Sequence, residues 1–169
     1  EEKFYLARML FPHVGAADYV ELVTTTHGED NRLNLVFQTE GMDGHIYQIR
    51  PPFLPKEIGQ FHSLLSESSL SGTFTAQHDF LLLFNSRNRM VGGLYWKNME
   101  DNRIHLEWVA VREKYRNISL SNRLMDDFYK RMKHRGVDII TVGFYVEKFF
   151  FHQGFEINKQ YGGLVKRLK

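Results

Sequence analysis

His105 and Glu107 are two positions apart in a stretch of strand-like composition, residues 103–111. Successive side chains of a strand alternate between its two faces. We therefore expect one face to carry His105, Glu107 and Val109, and the other to carry Leu106, Trp108 and Ala110. A carboxylate or imidazole there can act as a general base or acid. The structural alternatives are an exposed strand end for His105 and a salt bridge from Glu107 to Arg103 or to an arginine on a neighbouring strand.

A basic loop and the start of an amphipathic helix follow this strand. Ser119 and Ser121 stand at the expected first turn of the helix, and the surrounding cations are Arg112, Lys114, Arg116 and Arg123. A helix N-terminus presents unpaired backbone N–H groups and about half a positive charge, so it can bind an anion. Serine also caps helices that bind nothing, and a plain strand-loop-helix connection is the alternative.

The stretch from His105 to Met125 resembles the acetyl-CoA-binding motif of the GCN5-related N-acetyltransferases, the GNAT family. In that family a central strand ends in an apolar-Ala-Val segment, here residues 109–111. A loop of pattern Arg/Gln-x-x-Gly-x-Gly/Ala then opens a long helix, and residues 116–121 are Arg-Asn-Ile-Ser-Leu-Ser here. Downstream, residues 149–156 resemble the family's aromatic-rich helix that ends in Gly-Phe-Glu. The resemblance covers residues 44–169.

This resemblance implies a fold, a cofactor and a set of contacts. The fold would be α/β, or α+β, with a mixed, mostly antiparallel central sheet flanked by helices. Acetyl-CoA would bind with its pyrophosphate in the loop and its pantetheine arm beside the strand. A backbone N–H near Val109 or Ala110 would polarise the thioester carbonyl. The implied cofactor-binding residues are Val109, Ala110, Val111, Arg116, Asn117, Ile118, Ser119, Leu120, Ser121 and Asn122.

The chain departs from the family pattern in three places, one of which is Gly143, where the family commonly has an asparagine. Ser119 and Ser121 replace the usual glycine or alanine, and glycine permits close backbone approach and unusual dihedral angles. Phe150 replaces a tyrosine that often serves as the general acid for the departing thiolate. Tyr145, Tyr161 or water would then supply the proton, or the thiolate would leave unassisted. The implied catalytic residues are Glu107, His105 and Tyr145.

The sequence pattern around these residues predicts strands and helices in the order β-α-β-β-β-α-β-α-β. Predicted strands are 45–50, 80–84, 90–96, 103–111 and 137–145, with a closing strand pair within 155–168. Predicted helices begin at Pro55 and near Ser119 or Ser121, and a short helix covers 146–153. Upstream, a helix over 4–10 and a hairpin of strands 19–26 and 32–39 are predicted. The loop at 41–44 divides an N-terminal extension, residues 1–43, from the GNAT-like domain, residues 44–169.

The composition limits the classes of protein to which this chain can belong. With 169 residues, 43% hydrophobic and 14% aromatic, the chain can bury a core, which excludes global disorder. The absence of cysteine excludes thiolate zinc sites and a cysteine nucleophile, and the eight scattered histidines lack metal-ligand spacing, so we predict no metal. The net charge of +2 argues against a nucleic-acid partner. No apolar run reaches the roughly 20 residues of a membrane helix, and no targeting signal is visible, so we expect a cytoplasmic protein without a membrane partner.

The sequence therefore predicts an acyl-CoA-dependent N-acetyltransferase whose acceptor, a small-molecule or protein amine, attacks the thioester directly. One alternative is a non-catalytic acyl-CoA-binding regulatory module of a larger protein, which the phenylalanine at position 150 favours. Another is a family member that uses an aminoacyl-tRNA or acyl carrier protein as donor. A homodimer formed through a strand of the first 43 residues, or a fused upstream domain, also stays open.

Overall fold

The computed structural model describes residues 35–143 and 145–168. Its strands and helices, in chain order, are β1 Phe37–Glu40, β2 Ile46–Arg50, α1 Pro55–Glu67, β3 His78–Phe84, β4 Met90–Asn98, β5 Arg103–Val111, α2 Leu120–His134, β6 Ile139–Val142, α3 Glu147–His152, β7 Glu156–Asn158 and β8 Gly163–Arg167. Short 3-10 turns lie at Glu113–Tyr115 and Lys159–Tyr161. The predicted helix over 4–10, the predicted strand over 19–26 and the first part of the strand over 32–39 lie outside the described residues.

One eight-stranded sheet connects these elements, in the order β1-β2-β3-β4-β5-β6-β8-β7. Neighbouring strands are antiparallel except β5 and β6, which are parallel. The prediction of an α/β fold with a mixed, mostly antiparallel sheet is therefore confirmed. The β5–β6 pairing ends at Leu106 and Val142, whereas β5 continues to Val111. The two strands consequently separate towards the C-terminal end of β5.

Helices cover both faces of the sheet. On one face, the α2 residues Leu124 and Phe128 pack with Leu106 of β5 in the larger core cluster. On the other face, Phe61 of α1 packs in a second cluster that includes Tyr95 of β4. Gly93 lets α1 lie close to the sheet, because an added Cβ would stand 2.9 Å from the Phe61 ring.

A buried ion pair ties the start of α1 to β2. The Arg50 guanidinium donates to both carboxylate oxygens of Glu57, at 3.0 and 2.6 Å. It also lies between the rings of Phe53 and Phe84, 4.3 and 4.0 Å from their centroids. One oxygen of Glu57 in addition accepts the backbone N–H groups of Phe53 and Leu54, which the helix cannot pair by itself. The pair therefore fixes where α1 begins.

The helix α2 begins and ends in left-handed backbone conformations. Ser119 is its N-cap residue, with φ of +66°. Gly136 follows its last turn with φ of +85°, as expected of a glycine that terminates a helix. Arg131, Lys133 and His134 lie in the last turn, where the helix dipole favours cations.

Residues 41–44 form the turn of a hairpin that joins β1 to β2. At its tip, Met42 donates its backbone N–H to the carbonyl of Ile118, at 3.1 Å, and so contacts the loop before α2. The domain division at this turn stays a prediction. Within the part of the chain that the structure describes, no helix has the length and apolar character needed to cross a membrane.

Candidate active site

A cleft of about 380 Å³ opens where β5 and β6 separate. Its walls combine the end of β5, the loop after it, the start of α3 and the segment after α1. The lining residues are Ser68, Leu70, Val109, Ala110, Val111, Arg116, Ser121, Tyr145, Val146, Phe149 and Phe150. Mostly apolar walls with a few polar groups are typical of small-molecule sites.

A second cavity of similar volume lies against the N-terminus of α2 and shares Ser121 and Phe149 with the cleft. The other lining residues are Tyr115, Asn117, Ser119, Leu120, Asn122 and His152. All predicted cofactor-binding residues therefore line one of the two cavities, except Ile118. The Ile118 side chain packs against the core, and its carbonyl accepts the hydrogen bond from Met42.

The loop before α2 follows an unusual backbone path. Asn117 and Ser119 both have φ of +66°, a region that favours glycine and tolerates asparagine better than serine. Arg116 ties the loop to the strand, because its Nε donates to the carbonyl of Val111 at 2.8 Å. The loop thus adopts a glycine-type conformation although serine occupies the glycine position.

A β-bulge in the middle of β5 sets which side chains face the two helices. Tyr95 of β4 pairs with Trp108 and the next residue pairs with Leu106, so Glu107 is the extra residue. Beyond the bulge the alternation changes phase: Leu106 and Val109 pack in the α2-side cluster, whereas Trp108 packs in the α1-side cluster. The prediction that Glu107 shares a face with Val109, and Leu106 with Trp108 and Ala110, is therefore wrong.

Glu107 lies between two histidines. His78 Nε2 is 3.0 Å from Glu107 Oε2, and His105 Nε2 is 3.5 Å from Glu107 Oε1. The side-chain partners of Glu107 in the described structure are thus these imidazoles rather than an arginine. The structure therefore brings the predicted His105 and Glu107 together and adds a third group, His78.

Burial dominates the electrostatics of His105. Removal of the ring from water lowers its pKa, Lys97 and His78 lower it further, and the charge of Glu107 opposes them. His105 Nδ1 lies 2.8 Å from the hydroxyl of Thr141 on β6, which fixes the orientation of the ring. A neutral imidazole beside a carboxylate can accept a proton.

Tyr145 lines the cleft. Its ring packs against Trp108 and Phe150, with centroids 4.5 and 5.3 Å away. The hydroxyl is buried and forms no hydrogen bond with any other described residue. Burial raises the pKa of Tyr145, the charge of Glu107 adds to this, and the nearby main chain of Val109 offsets part of it. The phenol is therefore protonated at neutral pH and has a proton to donate.

The other tyrosine considered as an acid, Tyr161, is not at the cleft. Its ring lies against the guanidinium of Arg103, 5.3 Å from the centroid, at the opposite end of β5. Phe150 is almost fully buried in the core cluster. Tyr145 is therefore the phenol that the structure places beside the predicted cofactor-binding strand.

The sequence matches the family model described as the acetyltransferase (GNAT) domain over residues 49–160. The chain belongs to the GNAT acetyltransferase family. Among curated protein sequences, none matches it significantly.

Solved structures share the GNAT fold with this chain. A GNAT acetyltransferase from Staphylococcus aureus Mu50 has a TM-score of 0.58 at 17% identity, and the alignment covers 73% of this chain and 99% of the bacterial one. YhbS of Escherichia coli, solved in complex with CoA, has a TM-score of 0.58 at 15% identity, covering 72% and 81%. Tetrahymena GCN5 has a TM-score of 0.58 at 13% identity, covering 68% and 88%. At these identities the likeness shows a common fold.

His78 is a residue of this candidate site that sequence reasoning missed. It begins an apolar strand 29 positions before Glu107 in the chain. Only the strand order β3-β4-β5 places the two side chains together. A histidine at the start of a fully buried strand was the available signal, because such a position normally requires a polar partner.

Proposed function

We propose that this GNAT chain is an N-acetyltransferase that transfers an acetyl group from acetyl-CoA to an amine, on a small molecule or a protein, by direct attack. The observation that carries the proposal is the pair of neighbouring cavities, which share Ser121 and Phe149 and are lined by the N-terminus of α2 and by Tyr145. Tyr145 also lies close enough to Glu107 to respond to its charge. The chain thus combines an anion-binding end with a proton-transfer end.

The residues present fit the cofactor. Backbone N–H groups at the start of α2, together with Arg116, would hold the pyrophosphate, since a helix N-terminus favours anions. Residues 109–111 lie beyond the last β6 pairing, so their β6-side backbone groups would pair with the amides of the pantetheine arm. The CoA complex of YhbS, which has the same fold, supports this class of ligand.

Each catalytic task is assigned to a group of this chain. Acetyl-CoA supplies an activated thioester when it is bound. A backbone N–H of Val109 or Ala110 would donate a hydrogen bond to the carbonyl oxygen. The Glu107–His105 pair would accept the proton of the amine, and Tyr145 would donate a proton at the leaving sulfur. Because the sequence contains no cysteine, transfer through a cysteine thioester is excluded, which supports direct attack.

A non-catalytic acyl-CoA-binding module is the second candidate. The buried Phe150 favours it, since that side chain cannot donate a proton. The two candidates agree on binding and differ in turnover. An aminoacyl-tRNA or acyl carrier donor is a third arrangement, in which acetyl-CoA would not bind.

Calorimetric titration of the full chain with acetyl-CoA tests the binding step. Arg116→Ala and Ser121→Glu should each weaken binding by about tenfold or more, or about 1.4 kcal/mol, through loss of a cation and addition of a carboxylate. Arg87→Ala is the matched control, because Arg87 lies exposed in the turn between β3 and β4 and lines neither cavity. Absence of binding at millimolar acetyl-CoA would refute the proposal.

Turnover against a panel of amines, followed by release of free thiol, tests the catalytic step. Monoamines, polyamines, amino acids and lysine peptides cover both acceptor classes. Acetylation of any of these supports the enzyme, whereas tight binding without turnover across the panel supports the regulatory module.

A further inference from the structure

His78 has a defined proton position. Its side chain is buried, with 3% of its surface exposed. The backbone N–H of Thr75 donates to His78 Nδ1 at 3.0 Å. A backbone N–H can only donate, so Nδ1 is the unprotonated nitrogen and the ring proton is on Nε2. Nε2, 3.0 Å from Glu107 Oε2, is therefore a hydrogen-bond donor to that oxygen.

The contact between His78 and Glu107 spans an intervening strand. His78 of β3 and His105 of β5 both pair with Lys97 of β4, so the two histidines are two strands apart at the same level. Alternation from His105 places the Glu107 carboxylate on the same face of the sheet, where the His78 ring packs against Tyr95, at 5.2 Å. The carboxylate consequently lies between the two imidazoles.

The two carboxylate oxygens of Glu107 have different partners. Oε2 is taken by His78, and Oε1 faces His105 Nε2 at 3.5 Å. We infer that His78 is a positioning residue, which holds the Glu107 carboxylate so that Oε1 and His105 Nε2 together take up the proton of the acceptor amine. This inference rests on the proposed function and concerns the same site.

Two substitutions at position 78 distinguish the effect of the hydrogen-bond donor from the effect of side-chain volume. His78→Gln keeps an N–H donor at about the reach of Nε2, whereas His78→Met fills the space without one. Because Met packs well in irregular sites, the loss of the hydrogen bond is the main difference between the two variants. Thermal unfolding of both variants shows whether each is folded.

Nitrogen-15 NMR of the histidine rings of the full chain tests the geometry without any acceptor. We expect the neutral His78 ring to carry its proton on Nε2, because Nδ1 accepts the backbone N–H of Thr75. The groups that face His105 are Glu107 from β5, Lys97 from β4 and His78 from β3. Both variants lose the lowering effect of His78 on the pKa of His105, so the titration midpoint of His105 should rise in both. It should rise further in His78→Met, because the Glu107 carboxylate is then free to approach His105. A proton on His78 Nδ1, or equal midpoints in both variants, would overturn the inference.

A double-mutant cycle tests the role in turnover with an amine that the panel identifies. His78→Met should lower kcat by about tenfold at unchanged KM for acetyl-CoA, and His78→Gln should recover most of the loss. In a Glu107→Gln background the same His78→Met change should have less than about a twofold effect, because its target is gone. An equal loss in both backgrounds would indicate a purely structural role and refute the inference. Lack of turnover in the wild type would refute the proposed function, while the NMR result would still decide the placement of His78.

Discussion

The ring of Tyr145 packs edge-on against the ring of Trp108, with the two centroids 4.5 Å apart. Trp108 is itself held in place, because its indole N–H donates to the carbonyl of Ser71 at 3.0 Å. The segment between α1 and β3 therefore orients Tyr145 through one aromatic contact. This relationship places the buried phenol beside the strand that would carry the acyl group.

Tyr145→Phe should separate activity from stability. The hydroxyl is buried with no hydrogen bond from the described residues, so its removal should leave the free energy of unfolding unchanged or raise it by about 1 kcal/mol. If the phenol is the general acid, kcat should fall by about a hundredfold. Chemical unfolding and steady-state kinetics of the same preparation provide both values. Full activity in the variant would remove Tyr145 from the mechanism.

The pH dependence of stability should report His105. Burial lowers the pKa of His105 from 6.5, so below pH 6.5 the unfolded chain binds more protons at this site than the folded chain. The contribution of this site is therefore fully present above pH 6.5 and is lost as the pH falls below it. Unfolding free energies of the wild type and His105→Gln, measured across this range, should show a smaller slope in the variant. Parallel curves would contradict the assignment.

Ser119→Gly should stabilise the fold. Ser119 has φ of +66°, where glycine avoids a steric cost of about 1 kcal/mol. Ser121→Gly is the control, because Ser121 lies inside α2, where glycine costs about 0.5 kcal/mol relative to serine. Denaturant unfolding should therefore show opposite signs for the two changes. Equal destabilisation by both would mean that the side-chain contacts of Ser119 outweigh its backbone strain.

Glu57→Gln should destabilise the protein much more than Glu67→Gln. Burial raises the pKa of Glu57, but Arg50 and two backbone N–H groups outweigh this and hold the pKa below its usual value. Removal of one partner of a buried pair costs about 3 kcal/mol. Glu67 pairs with Arg112 at the surface, where such a pair contributes less than about 1 kcal/mol. The Glu57 contribution should also disappear as the pH falls below 4.5, and unfolding at several pH values checks both statements.

Much of the fold follows from local patterns in the sequence. The strand at residues 103–111 and the helix beginning at Pro55 lie where periodicity and proline placement predict them, and Gly136 ends α2. The faces of β5 were predicted incorrectly from Trp108 onwards, because a bulge depends on pairing with the neighbouring strand rather than on the period of the strand itself. His78 could not be assigned to the site for a related reason, since strand order is a tertiary property.

The contact between the β1–β2 turn and the loop before α2 has a reciprocal thermodynamic consequence. Met42 is 73% exposed and lines neither cavity, yet its N–H binds the Ile118 carbonyl and its sulfur lies 2.8 Å from the Ser119 hydroxyl. A ligand that prefers the loop in this conformation also favours the docked hairpin, by the same factor with which docking favours the ligand. Saturation of the loop should therefore slow hydrogen exchange at the Met42 amide, which makes a residue outside the cavities a local reporter of their occupancy.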